Sequence, residues 1–260
     1  MRDSVRKEPP KLRFKTTMLH ELPLFSFYFG DTKTSACRDF LLKPATHAEL
    51  MNNESLAQIA QILKLDQLAL LTQTHSALGA VVPRTYSPEL PDRPEGDYLI
   101  TKEPLIGLGV YTADCLPIIF LDPEHQAIGI AHAGWAGSLK QVATTAIKAM
   151  QKEFGTSVDQ VNIIFGPSAL RCCYEVQADF IERLASCEFR NDVLIERQGK
   201  LYFDLPLYNY KTLTALGIPA SSFDMAPNVC TICNPDFCSN RRNRESTQRQ
   251  LAVVTLNSPS

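Results

Sequence analysis

The sequence is poor in the features that mark nucleic-acid binders. Its 260 residues contain 26 Lys and Arg against 28 Asp and Glu, which gives a net charge of -2. Binding to nucleic acid needs an excess of basic side chains on one face to contact the phosphates. The charge balance therefore argues against a nucleic-acid partner and favours small molecules.

Long apolar runs are also absent from the sequence. No run approaches the roughly 20 apolar residues that a membrane-spanning helix needs. The first 15 residues, MRDSVRKEPPKLRFK, carry charge and proline where a secretory signal has an apolar segment. We therefore expect a cytoplasmic protein that contacts no membrane, with its eight cysteines reduced. Such cysteines are buried apolar residues, metal ligands or catalytic groups.

The pattern of apolar residues predicts a single α/β domain over residues 14–256, between a disordered tail at 1–13 and a frayed end at 257–260. Helical spacing predicts helices over 52–65, 138–154, 176–186 and 205–216, with Gly217 as a left-handed cap of the last one. Short apolar runs predict strands over 68–71, 106–111, 116–121, 127–131 and 161–165.

The most informative stretch is VYTADCLPIIFLDPEHQAIGIAHAGWAG, residues 110–137. Two apolar strands flank Asp122-Pro-Glu-His125, a sequence typical of a type I turn. A hairpin that pairs Asp122 with His125 also sets Cys115 opposite His132, with Cα atoms about 4.5 to 5.5 Å apart. A thiolate beside an imidazole suits Zn²⁺.

A third protein ligand would leave one tetrahedral position open, the arrangement of catalytic zinc. His75 is the best candidate, because it follows an apolar strand and lies in a small polar loop. The alternative is that His75 is a surface residue, Cys115 a buried apolar residue and His132 a hydrogen-bonded core histidine.

Other motifs are weaker. Gly134, Gly137 and Ser138 precede the predicted helix over 138–154, so its N-terminus is either an anion site or a tight turn. Gly107-Leu-Gly109 lacks the rest of a dinucleotide fingerprint, so no nucleotide cofactor is indicated. A cluster of arginines near the end of the sequence is either a phosphate-binding site or a solvated surface patch: Arg241, Arg242, Arg244 and Arg249.

Two groups of cysteines are further candidates for metal binding. Cys230-x2-Cys233-x4-Cys238 resembles half of a zinc ribbon, but no second pair lies at the required spacing. The vicinal pair Cys172 and Cys173 is expected to pack near the His and Cys site, because adjacent residues do not easily present both sulfurs to one ion.

Five motifs together resemble those of the laccase-domain family, first named multicopper polyphenol oxidases and later reassigned as zinc-dependent purine nucleoside phosphorylases. They are TADCLPII, IAHAGWAG, GPSALRCCYEV, the segment from Asp204-Leu205 to Asn209, and the closing CT…F-x-S-x-RR…T-x-R. The resemblance runs from about His75 to Val254. Ala136 stands where the family usually has arginine, and Gln248 replaces a glycine.

The resemblance implies a mixed α/β sandwich of one domain, with a central hairpin carrying metal ligands. It implies one zinc on His75, Cys115 and His132, with copper a less favoured metal. The implied substrates are phosphate and adenosine, inosine, guanosine or methylthioadenosine, with adenosine deamination as a second activity.

Further site residues follow from this hypothesis. Zinc deaminases use a carboxylate that moves protons without binding the metal; Asp114 and Glu175 are the candidates. We predict substrate contacts from Gly134, Trp135, Tyr174, Arg241 and Arg242.

Three alternative functions stay open. One is copper-dependent phenol oxidation, another is an amidase that edits cell-wall precursors, and the third is a zinc-binding protein without catalysis. The sequence does not fix the oligomeric state.

Overall fold

Two β-sheets pack face to face in the computed structural model, which describes residues 19–21, 23–37, 52–85 and 93–258. The first sheet has the strand order β1-β2-β15-β7-β4, and β3 pairs with β15. Its strands are β1 (Leu19–Glu21), β2 (Phe25–Phe29), β3 (Ala36–Cys37), β4 (Gln67–Ala69), β7 (Ile106–Thr112) and β15 (Gln248–Leu256).

The second sheet has the order β14-β10-β8-β9-β6-β5. Its strands are β5 (Gly79–Val81), β6 (Tyr98–Thr101), β8 (Leu116–Asp122), β9 (Ala127–Ala133), β10 (Asn162–Phe165) and β14 (Phe223–Asp224). A small third sheet joins β11 (Glu175–Val176), β13 (Lys200–Phe203) and β12 (Leu194–Arg197) in that order.

The apolar runs of the sequence become strands that are buried on both faces. In β8, Ile119 and Leu121 pack against the first sheet, while Ile118 and Phe120 pack against helices on the other side. Because both faces need apolar residues, such strands read as continuous apolar runs and not as an alternating pattern. The predicted mixed α/β sandwich is confirmed.

Helices cover the two outer faces of this sandwich. The helices are α1 (Glu54–Ile62), α2 (Trp135–Leu139), α3 (Val142–Phe154), α4 (Phe180–Arg183), α5 (Arg190–Val193) and α6 (Leu205–Ala215). Leu56 and Ile59 of α1 pack on the first sheet, and α3 and α6 pack on the second. The Asn53 side chain accepts a hydrogen bond from the Leu56 backbone N–H (3.2 Å) and caps α1.

Two predictions about local structure need correction. The helix predicted over 138–154 is two helices, because Gln141 adopts a left-handed conformation (φ 68°) between α2 and α3. The segment predicted as a helix over 176–186 begins as strand β11 and is helical only over α4.

The expected frayed end begins with a residue that has hydrogen bonds. The Asn257 backbone N–H donates to the Leu24 carbonyl (3.0 Å), and its side chain accepts from the Ser26 hydroxyl (2.8 Å). Residues 259–260 lie outside the described residues, and fraying over 257–260 stays a prediction.

The predicted hairpin forms, but with a different register. Asp122 pairs with Ala127, so the loop holds four residues, and Pro117 lies opposite His132. The Asp122 side chain accepts hydrogen bonds from the backbone N–H groups of Glu124 and His125, which stabilises the longer loop. The predicted direct pairing of Cys115 with His132 is therefore wrong. A shift of two residues keeps every side chain on its face, so the two residues remain diagonal neighbours.

Among the described residues, none of the helices has the length and apolar character required to cross a membrane. The predicted tail at 1–13 lies outside the described residues.

Candidate metal centre

Three side chains predicted as metal ligands converge at the open end of the hairpin. His75 lies in the loop after β4, Cys115 directly precedes β8, and His132 is in β9. One ligand atom from each lies within 4.8 Å of those of the other two. The Cys115 sulfur is 3.8 Å from His75 Nε2, and the two imidazole rings meet edge to face with centroids 4.9 Å apart.

The carboxylate of Asp97 organises two of these ligands. It is fully buried directly before β6, and its Oδ1 lies 2.8 Å from His132 Nδ1. The same carboxylate accepts backbone N–H bonds from Thr74 (3.3 Å), His75 (3.1 Å) and Ser76 (2.6 Å), and a bond from the Ser76 hydroxyl (2.7 Å). Asp97 thus folds the His75 loop and orients the His132 ring at once.

This network explains the unusual backbone of His75, which has a left-handed φ of 55°. A non-glycine residue in this region is uncommon and needs support from its surroundings. The bonds to Asp97 give that support, and Lys140 Nζ donates to the His75 carbonyl at 2.9 Å. The loop is therefore fixed in a conformation that points the imidazole at Cys115.

Gly134 lies close above the ligands, just beyond the last pair of the hairpin. A Cβ atom there would lie 2.7 Å from the Cys115 sulfur and 2.9 Å from His75 Cδ2. Its φ of -68° is open to any residue, so the contact and not the backbone requires glycine. This close approach is where the sequence motif HAGW meets the ligands.

Charge on the site favours an ion pair between Cys115 and His132. Burial raises the pKa of the Cys115 thiol, but the His132 imidazolium and hydrogen bonds from both histidines outweigh it and lower the pKa to about 6. Burial lowers the pKa of His132, while the Cys115 thiolate and Asp97 raise it to about 9. Burial opposes ionisation of Asp97, yet its hydrogen bonds from His132 and Ser76 hold the pKa of that carboxyl well below its usual range.

The donor set fits a bound metal ion. Because His132 uses Nδ1 on Asp97, its Nε2 is left to face the sulfur, and metal-bound histidines usually have such a carboxylate partner. Zn²⁺ binds both imidazole and thiolate, and three protein ligands are typical of catalytic zinc, although blue-copper centres also use two His and one Cys.

Asp114, predicted as a proton carrier, fastens the surrounding loops. Its Oδ1 accepts from the Thr231 hydroxyl (2.7 Å), and its Oδ2 accepts from the Arg241 backbone N–H (2.7 Å). Its backbone carbonyl accepts from the Ala169 N–H at 2.8 Å, and its φ is 92°. These contacts position the chain next to Cys115.

Tyr174, Glu175 and Arg241 lie together beside this segment. The Arg241 guanidinium stands over the Tyr174 ring at 5.0 Å, and its Nη1 donates to the Glu175 carbonyl at 2.9 Å. Burial raises the pKa of the Tyr174 hydroxyl, and the Cys115 thiolate raises it further. The Glu175 carboxylate pairs with Lys200 Nζ at 2.9 Å.

Arg242 and Trp135 are occupied by other contacts. The Arg242 Nη1 donates to the backbone carbonyls of Thr231 (2.6 Å), Ile232 (3.2 Å) and Asn234 (3.0 Å), which fixes this loop. The half-buried Trp135 ring packs against Phe180 and lies under the Arg183 guanidinium. Their predicted contacts with substrate stay predictions. Gly134 caps the five-residue α2, whereas the N-cap of the long α3 is Gln141. The N-terminus of the long helix, which was predicted as an anion site or a tight turn, therefore does not lie at Gly134.

Sequence reasoning missed Asp97 and Thr231. The available signal for Asp97 was a carboxylate directly before an apolar strand, in EGDYLIT, because a charged residue that is buried there needs a partner. It also missed the meeting of Cys172 and Cys173 with Cys230 and Cys233.

The architecture and the three-ligand site define a class of two-sheet α/β proteins with a candidate catalytic metal centre on a hairpin. The chain belongs to the family described as multi-copper polyphenol oxidoreductase laccase, whose model matches residues 45–257.

Relatives and solved structures agree with this assignment. The chain is 33% identical to a purine nucleoside phosphorylase of Aquifex aeolicus over 82% of this chain and 95% of that protein. It is 32% identical to adenosine deaminase RL5, from an unknown prokaryotic organism, over 68% of this chain and 71% of that protein. Its fold matches the crystal structure of hypothetical protein YfiH from Bacillus licheniformis, with a TM-score of 0.78 and 24% identity over 90% and 93% of the two chains.

Proposed function

We propose that the protein is a zinc-dependent purine nucleoside phosphorylase that also deaminates adenosine. The single observation that carries the proposal is the convergence of His75, Cys115 and His132 around the Asp97 network. Relatives named purine nucleoside phosphorylase and adenosine deaminase support the reaction class. Phosphate and adenosine, inosine, guanosine or methylthioadenosine are the proposed substrates.

His75, Cys115 and His132 would hold the zinc. A zinc ion on three protein ligands supplies Lewis acidity at its fourth position. The chain's own contribution is to keep the ligands in place: Asp97 holds the His132 ring and the His75 backbone, and Gly134 leaves room above the sulfur.

The groups beside the ligands suit an anionic co-substrate. The exposed Arg241 guanidinium is oriented by the Tyr174 ring and the Glu175 carbonyl, and a guanidinium can bind a phosphate through paired N–H groups. In phosphorolysis a phosphate oxygen forms a bond to the anomeric carbon while the bond from that carbon to the base breaks. Arg241 would hold the phosphate for this attack.

Two carboxylates, those of Asp114 and Glu175, are candidates for the group that moves a proton. Both oxygens of Asp114 accept hydrogen bonds from Thr231 and Arg241, which favours a positioning role for this residue. The Glu175 carboxylate is half-exposed and bonded to Lys200 through Oε2, which favours Glu175 as the group that moves a proton. We place the reaction in the cytoplasm, where the thiols stay reduced.

The direct test is product analysis. Zinc-loaded protein is incubated with adenosine, with and without phosphate, beside the Cys115→Ala variant. We expect adenine and ribose 1-phosphate only with phosphate, inosine under both conditions, and none of these products from the variant. The absence of both products from fully zinc-loaded protein would refute the proposal.

A parallel experiment with copper-loaded protein distinguishes a phenol oxidase, the activity in the older family name, from the proposed nucleoside phosphorylase. Within the described residues, the second candidate metal group contains only cysteines, so no further histidine cluster stands beside the trio for a multinuclear copper site. We expect no phenol oxidation by copper-loaded protein. Oxidation of a phenol by the copper form, without turnover of adenosine by the zinc form, would favour the oxidase.

A further inference from the structure

A second group of potential metal ligands consists of four cysteines from two distant parts of the chain. Cys172 and Cys173 lie in the turn before β11, and Cys230 and Cys233 lie in the loop after β14. Their four sulfur atoms all lie within 4.8 Å of one another, so both members of the vicinal pair face the same group, contrary to the expectation from their adjacency in sequence. The second cysteine pair that the zinc-ribbon comparison lacked is therefore supplied by the fold, and Cys238 is not part of this group.

The backbone holds the two cysteine segments together independently of any ion. Ser168 and Cys230 form an isolated parallel bridge, in which the Ser168 N–H donates to the Val229 carbonyl (3.1 Å) and the Thr231 N–H donates to the Ser168 carbonyl (3.0 Å). The Asn228 amide adds a bond to the Ser168 hydroxyl at 2.9 Å. The sulfurs meet because these segments are fixed side by side.

The sequence spacing of Cys230 and Cys233 also suits a structural metal site. The two residues are separated by two others, Thr231 and Ile232, in a tight turn. This Cys-x2-Cys spacing recurs in structural zinc sites, where one turn of backbone presents two sulfurs to the same ion.

Charge and size are also compatible with a divalent ion. A zinc–sulfur bond of about 2.3 Å in a tetrahedron places neighbouring sulfurs about 3.8 Å apart, so small side-chain rotations would close the group. Four thiolates around Zn²⁺ leave a negative charge. The Arg197 guanidinium lies beside the pair, where it donates to the backbone carbonyls of Arg171 (2.8 Å) and Cys172 (3.0 Å).

We propose that Cys172, Cys173, Cys230 and Cys233 bind one Zn²⁺ in a closed, four-sulfur structural site. All-thiolate ligands select soft and borderline ions, and a full set of protein ligands leaves no open position for chemistry. This ion clamps the segment of Tyr174 and Glu175 to the loop of Thr231. Thr231 in turn holds Asp114 next to Cys115, so the clamp supports one wall of the first centre.

The test is zinc content per chain, measured by elemental analysis on folded protein purified with reductant and zinc. We expect two zinc ions in the wild type, one in Cys233→Ser and one in Cys115→Ala. The matched control is Cys187→Ser, a half-buried cysteine outside both groups, which should keep two. A folded Cys233→Ser protein with the zinc content of the wild type would overturn the proposal.

A second measurement does not depend on a cysteine variant of this cluster folding. X-ray absorption at the zinc edge of Cys115→Ala should give a shell of four sulfurs at about 2.3 Å. A shell of nitrogen and oxygen, or no zinc at all, would overturn the proposal. Intact mass after denaturation and alkylation without reductant gives the third check: cysteines of this group that escape alkylation because they are joined as disulfides would also refute the proposal.

Discussion

The two candidate metal groups differ in how their ligands are held. His132 lies within a strand, and a buried carboxylate fixes both its ring and the His75 loop. The four cysteines lie on two loops joined by a backbone bridge, and Cys172 and Cys233 are exposed. In the first group the ligand geometry is fixed before an ion binds. In the second group a bound ion would be needed to fix the positions of the sulfur atoms.

This difference has a chemical counterpart. Three ligands backed by a buried carboxylate leave a coordination position for substrate, as in catalytic zinc sites. Four thiolates fill the coordination sphere and contribute to folding. The comparison predicts that changes at the first group mainly reduce turnover and that changes at the second mainly reduce stability.

The largest expected effect is that of Cys115→Ala on adenosine turnover. Loss of a metal ligand removes Lewis acidity worth several kcal/mol, and about 4 kcal/mol corresponds to a thousandfold in rate. We therefore expect turnover to fall by about 10³ or more, with a smaller drop in melting temperature than Cys233→Ser gives, because the first site is fixed by Asp97 before an ion binds. Cys233→Ser should do the reverse, lowering the melting temperature while keeping most turnover. Equal losses of turnover in both variants would break the comparison.

Asp97→Asn should weaken zinc binding by about 10- to 100-fold, the usual effect of removing a carboxylate behind a metal-bound histidine. The chain supplies a matched control, because Asp122 holds the His125 imidazole at 3.0 Å at the far end of the same hairpin. Asp122→Asn should lower stability without changing zinc affinity. Competition with a chromogenic chelator measures both variants, and equal zinc affinity in the two would remove the role assigned to Asp97.

The sequence allowed the correct faces of the hairpin to be predicted but not its register. Side chains alternate along a strand, so any even shift leaves Cys115 and His132 on the same face. The register depended on the loop, where the Asp122 side chain binds two backbone N–H groups and adds two residues to it. Apolar patterning carries no information about such a bond.

Contacts between segments that are distant in sequence were the second feature that the sequence did not predict. The partner of Asp97, His132, is recognisable only once β6 is placed beside β9, and the partners of the Cys172 pair only once its turn is bridged to the Cys230 loop. Spacing along the chain reports local geometry, whereas these groups depend on how the sheets and loops are assembled. By contrast, Cys115 and His132 lie on neighbouring strands of one hairpin, so the sequence around them was sufficient to predict that they lie close together.

A smaller effect is expected from Gly134→Ala. The added methyl carbon would meet the Cys115 sulfur at 2.7 Å, closer than real contacts allow, so the ligand must move. We expect about a tenfold loss of zinc affinity, which corresponds to about 1.4 kcal/mol. The control is Gly137→Ala in α2, three residues further along, whose methyl would meet its nearest atom, the Ser76 carbonyl oxygen, only at 3.3 Å. A Gly134→Ala protein with wild-type zinc affinity would show that the close approach has no role in metal binding.

The smallest effect concerns the reactivity of Cys115 in zinc-free protein. With its pKa lowered to about 6, the thiol is ionised above that pH and becomes protonated as the pH falls through it. At pH 7 its thiolate fraction is about 30 times that of an ordinary cysteine, but a less basic thiolate is about tenfold less nucleophilic. We therefore expect alkylation only about threefold faster than that of a free cysteine, half-maximal near pH 6.

Cys187 is the control for this reactivity. Burial raises the pKa of its thiol, so it should react only at alkaline pH, and zinc should protect Cys115. Peptide mass spectrometry follows both sites, and a Cys115 profile that matches that of Cys187 would mean that His132 does not stabilise the thiolate.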